Sequence, residues 1–176
     1  MSLEALEIQI KEQCEKAYWD ILLDDISHEP IKTNHIKLLI DEVIFLLCSI
    51  NPNRKDIHFK ILNTFNNRHF IDELDYFILN LIQWIEKFQS ENDDEKTNKW
   101  KSDFKKIYNQ NNKEELSLFI VKFLKEYYTH IIDVKHKVIK FRNDINNGEN
   151  IFEKFKTKSQ NNKYGIPNNI RSGKDL

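Results

Sequence analysis

Glycine is scarce in this 176-residue chain, and its placement is lopsided. The three glycines, Gly148, Gly165 and Gly173, all fall in the last 29 residues, so 147 residues pass without one. That run argues against a turn-rich β architecture and against a glycine-built phosphate loop in the body. Cysteine is nearly as scarce. Cys14 and Cys48 are too few for a disulfide framework, and both fall in apolar helical patterns. They read as buried thiols of a reducing, cytoplasmic compartment. Net charge is also missing: 27 basic residues face 28 acidic ones. No global field steers the chain toward nucleic acid or an acidic membrane. The longest uncharged run, Val43–Asn53, is too short to span a bilayer. The start, MSLEALEIQI, has no basic segment and does not read as a signal peptide.

What remains is a helical vocabulary. A 40% hydrophobic fraction suits one domain with a modest core. Heavy use of Asn, Lys and Ile points to AT-rich coding, as in some protists and large DNA viruses. The first helix is expected from Leu3 to Ile26, with Ser2 as its cap. Its inward stripe should be Leu3, Leu6, Ile10, Cys14, Ala17 and Ile21, stepping by three and four. Pro30 closes it. A second helix to Ile50 is apolar throughout Val43–Cys48 and should lie centrally. A third is expected over Lys55–Thr64 and a fourth over Ile71–Ser90. A polar stretch at Ser90–Lys99 leads into a fifth helix, about Asp94 to Tyr108. Asn112 caps the sixth, with Glu115 in capping-box position. That helix runs to about Asn143 with Phe123, Tyr127, Ile131, Val134 and Phe141 inward. The expected fold is an all-α, single-domain bundle of about six helices over residues 1–144. An irregular, Asn/Lys-rich tail follows over 145–176, with a short helix at Ile151–Lys156.

Chemistry finds little purchase. GIPNNIRSGK at Gly165–Lys174 lacks the spacing of a P-loop. The six histidines include no i,i+4 pair, and no Glu precedes a His by three. His130, Asp133 and His136 diverge around their helix and read as a polar flank rather than as metal ligands. Asp24–Asp25, Asp41–Glu42 and Glu114–Glu115 read as solvated outer faces. No catalytic, metal or cofactor residue is expected.

The tail offers a different reading. FEKFKTKSQNNKY interleaves Phe152, Phe155 and Tyr164 with four lysines, a pattern that binds single strands. Six basic residues over Ile145–Leu176 face three acidic ones. Nucleic-acid association through this tail is the alternative function.

The segment CEKAYWDIL, Cys14–Leu22, places Tyr18 and Trp19 beside Asp20 in a helix. The two rings stand about 100° apart, so they cannot share one seam. The helix should therefore be buried on two sides, or present Trp19 to a partner. This segment, with NHIKLLIDEVIFLL at Asn34–Leu47 and then Pro52, resembles the T-complex protein 11 family. The shared positions are Tyr18, Trp19 and Asp20, then His35, Ile36, Lys37, Leu38, Asp41, Glu42 and Pro52. A weaker likeness runs through Leu116–Phe141 into DVKHKVIKF. Beside that family the chain reads as a short, truncated member. The resemblance implies an all-helical, non-enzymatic protein of signal transduction, linked in animal and fungal members to the cyclic-AMP-dependent kinase pathway. It carries over no catalytic motif. The expectation is a non-catalytic interaction or regulatory module with a protein partner. Its candidate contact residues are Tyr18, Trp19, Asp20, His35 and Lys37 in the body and Phe152, Phe155 and Tyr164 in the tail.

Overall fold

A computed structural model of the chain describes residues 2–147. Among these residues there is no strand; six α-helices and one 3-10 turn account for the architecture. The helices are α1 (Leu3–Ser27), α2 (Asn34–Ile50), α3 (Lys55–Phe65), α4 (Leu74–Glu86), α5 (Asp94–Gln110) and α6 (Lys113–Asn146). The chain divides into a compact unit, Met1–Ile139, and a second, Lys140–Leu176, of which only the end of α6 is described. The expected boundary after residue 144 falls inside α6. The Ile151–Lys156 helix and the candidate residues Phe152, Phe155 and Tyr164 lie outside the described residues.

Helix starts follow from capping chemistry. The Ser2 hydroxyl accepts from the Ala5 N–H at 3.2 Å. The Asn112 side chain accepts from the N–H groups of Glu114 and Glu115 at 3.1 and 3.3 Å. Where a glycine would normally turn the chain left-handed, asparagine does so: Asn67 has φ 58° and Asn111 has φ 53°. Asn is the residue after glycine that visits this region most readily, so the glycine-free body can still turn.

Helix α4 is the most enclosed element. Seven of its thirteen residues are buried, among them Phe77, Ile78, Leu81 and Ile85. It starts three residues later than its periodicity predicts and ends at Glu86. Phe70 reaches the core from a turn, meeting Phe77 at 5.5 Å, so inward spacing extends past the helix proper. Helix α2 buries Ile36, Leu39, Ile40, Val43, Leu47 and Ile50 and is apolar-faced rather than central, because its far side is open. Helix α6 buries Phe123, Tyr127, Ile131 and Val134 as expected, while Phe141 is exposed.

Helix α1 departs furthest from expectation. Only Leu22, Asp25 and Ile26 are buried, with Trp19 half-buried against the core. The predicted stripe from Leu3 to Ile21 is exposed throughout, Cys14 included, so Cys14 is not a buried thiol. At 100° per residue, the stripe lies about 130° around the helix from the face that docks. Periodicity revealed an apolar face; it did not reveal which face the body covers.

Two charged or polar groups expected outside are inside. Asp25 is buried, because the carboxylate is held by His35 Nδ1 and by Lys32 Nζ at 3.9 Å. His130 is buried because it falls within the Tyr127–Ile131–Val134 stripe of α6.

Candidate functional site

The Tyr18–Trp19 pair sits where α1 meets α2 and α6. Tyr18 and Trp19 pack edge to face at 5.1 Å. Trp19 lies against the core, Tyr18 is 38% exposed, and Asp20 is exposed. Partial burial, then the Glu42 carboxylate, raise the Tyr18 hydroxyl's pKa. Glu42 also accepts from the Tyr128 hydroxyl at 2.6 Å, and that bond with burial pushes Tyr128 up to about 12. The arrangement is a clasp between three helices. His35 belongs to a second clasp, pairing with the buried Asp25 and tying the start of α2 to the end of α1. Of the predicted contact residues that the structure describes, Lys37 alone lines an open apolar surface.

That surface is a groove of about 1270 Å³ between α2, α3 and the segment that follows α3. Ile36, Ile40, Phe65 and Phe77 line it from the core, where Phe65 and Phe77 stack at 5.2 Å. Its walls carry large apolar side chains turned to solvent: Phe45 is 70% exposed, Phe59 67% and Leu62 53%. Cys48 lines the same wall, half-buried, and burial pushes its thiol pKa up. The sequence reading passed over Phe45, Phe59 and Leu62. The available signal was their register: each is an apolar residue outside the inward set of its own helix.

Some polar groups in and beside the groove are committed to structure. His58 Nε2 lies 2.8 Å from the Asn51 carbonyl. Arg68 pairs with Glu73 and stacks 3.8 Å over the Tyr76 ring. The Tyr76 hydroxyl donates to the Thr64 carbonyl at 3.1 Å. Lys37 forms no ion pair among the described residues. The α2 and α3 walls of the groove are mainly apolar, the lining that ligand pockets commonly present.

A smaller cleft of about 280 Å³ lies between α5 and α6, lined by Trp100 and Phe123. Trp100 Nε1 donates to Glu126 there at 2.8 Å, which closes its floor. Near it, His130 Nε2 meets Gln89 Oε1 at 2.9 Å, while His130 Nδ1 has no hydrogen-bond partner. Burial, then Lys96, holds His130 below the usual histidine range. Among the described residues, no three His, Cys, Asp or Glu side chains group as metal ligands would, and no helix is long and apolar enough to cross a membrane. No protein-family model, curated protein or solved structure matches the chain.

Proposed function

We propose that this chain is a non-catalytic protein-interaction module that receives an amphipathic helix of a protein partner in the α2–α3 groove. One observation carries the reading: three large apolar side chains, Phe45, Phe59 and Leu62, stand more than half exposed along one cleft. Leaving them in water forgoes roughly 1.5–3 kcal/mol each, which an apolar partner face would recover in part. Helix α2, Asn34–Ile50, forms one wall about 24 Å long at helical rise, long enough for about four turns of a partner helix. A helix laid in such a groove is read through anchors at i, i+3, i+4 and i+7. Lys37 and Asp41, exposed one turn apart on the α2 wall and in no ion pair among the described residues, support a partner helix that carries an acidic and a basic residue one turn apart. The resemblance to the T-complex protein 11 family supports a regulatory setting in signal transduction.

Affinity capture with three forms of the chain tests this reading. Phe45→Glu/Phe59→Glu should abolish recovery of a discrete partner set. Leu79→Glu, an equally conspicuous apolar-to-acid change on the outer face of α4, should leave recovery intact. Equal recovery by both variants, or none by the wild type, overturns the reading.

A further inference from the structure

We infer that the helix received by the groove is α1 of a second copy of this chain, so that two copies exchange α1 arms as a symmetric dimer. The inference rests on the reading of the groove as a helix-binding surface. It begins with two unpartnered apolar surfaces on one chain. Along α1, Leu3, Leu6, Ile10, Cys14, Ala17 and Ile21 form a continuous stripe that faces solvent. That stripe is not the overhang of a docking face, since the docked residues Leu22 and Ile26 lie about 130° away around the helix. Its partner must therefore come from outside the chain's own core.

The lengths agree. From Leu3 to Ile21 is about 27 Å, and α2, the helical wall of the groove, is about 24 Å. Charge favours one direction. The α2 wall carries Lys37 and, one turn on, Asp41, and a helix running alongside α2 sets Glu7 against Lys37 and Lys11 against Asp41. When stripe and groove meet reciprocally about a two-fold axis, the contact is isologous and closes on two copies.

The chain's two cysteines report on this arrangement. Cys14 sits mid-stripe and Cys48 sits on the groove wall. With Glu7 set against Lys37, Cys14 lies about 6 Å along the axis from Cys48. The test uses the full chain, mixed from isotopically light and heavy preparations, with a short bis-maleimide applied above neutral pH. Light scattering should report a dimer that dissociates on dilution. Peptide mapping should find Cys14 of one copy linked to Cys48 of the other. Leu6→Glu/Ile10→Glu and Phe45→Glu/Phe59→Glu should each weaken the dimer roughly tenfold or more. All four positions are exposed, so the fold, followed by circular dichroism, should persist.

A monomer at every concentration overturns the inference. So does a link between Cys14 and Cys14, which means arm-to-arm pairing, and so does a Cys14–Cys48 link confined to one copy. If the chain is monomeric while its capture of other proteins still depends on Phe45 and Phe59, the inference falls and the proposed function stands. If neither dimer nor capture depends on those residues, both fall.

Discussion

The side of the bundle where α4, α5 and α6 meet and the side where α2 and α3 diverge are both rich in aromatics, yet one is closed and the other open. On the closed side Trp100 packs edge to face on Phe123 at 5.4 Å and lies 5.9 Å from Tyr127. Phe104 meets Phe119 at 5.7 Å, and all five rings are buried. On the open side Phe45 and Phe59 stand in solvent. The difference follows from register, reinforced by two polar tips: the five buried rings fall on the inward faces of α5 and α6, and Phe45 and Phe59 fall outside the buried sets of α2 and α3. Trp100 anchors through its indole N–H to Glu126, and the Tyr127 hydroxyl donates to the Leu81 carbonyl at 2.8 Å. Each tip fixes a ring inside while remaining satisfied. Phenylalanine has no tip, so a phenylalanine outside the core register gains nothing until an apolar surface arrives. The closed side therefore holds the fold, and the open side leaves its rings in solvent.

The largest expected effect lies on the closed side. Phe123→Ala removes a ring that is 1% exposed and touches three other aromatics. It should cost about 3–5 kcal/mol in urea unfolding. A loss under about 1 kcal/mol would mean that this side is not the structural one. Tyr127→Phe should cost about 1 kcal/mol, since it deletes one buried hydrogen bond. The Leu81 carbonyl lies within α4 and keeps its helical partner, which is why the loss should stay small. A cost as large as that of Phe123→Ala would point to a wider hydrogen-bond network around Tyr127.

The fold was largely legible before the structure, and the site was not. Spacing of three and four residues located α2, α3, α5 and α6, because each of those helices buries the face its sequence marks as apolar. The same spacing misled for α1, where the marked face and the docked face differ. Residue type misled for His130: a histidine suggests a surface, while its register places it between Tyr127 and Val134. Asp25 is similar: its burial depends on His35 and Lys32, partners ten and seven positions away that only the α1–α2 turn brings together. The groove escaped notice because inward patterns drew attention and Phe45, Phe59 and Leu62 break them. Apolar residues that break a good pattern were the more useful signal.

Acid should act on the closed side through His130. The groups around it are Gln89 before α5, Asp93, Lys96 and Trp100 on the next segment, and Asp133 and Lys137 on its own helix. Its folded pKa is lowered, chiefly by burial. Above the unfolded value of about 6.5 the residue is neutral in both states, and its contribution to stability is complete. Below that value the unfolded chain binds a proton that the folded chain resists, so stability declines with falling pH until the folded pKa is passed. Urea midpoints should therefore drop between pH about 7 and about 5, a window above the range in which Asp56, lowered to about 2 by Arg54, and Asp93 respond. His130→Leu should flatten that part of the profile. An unchanged slope in the variant would assign the acid sensitivity elsewhere.

The smallest effect on stability is expected on the open side, and it bears most directly on the comparison. Phe59→Ser deletes a ring as large as that of Phe123 from a helix of the same bundle. The Phe59 ring is 67% exposed, so little buried contact is lost and no cavity forms. The unfolding free energy of the monomer should change by about 0.5 kcal/mol or less. If the groove is where this chain binds, the same substitution should weaken that binding while leaving the fold untouched. A residue retained only for packing would show the reverse: a clear loss of stability with binding unchanged. Phe59 and Phe123 thus form a matched pair, with one ring removed from each side and two readouts taken on both variants. Opposite outcomes on the two readouts would establish that the two sides have different tasks. Parallel outcomes would show that the openness of the α2–α3 side has no functional meaning.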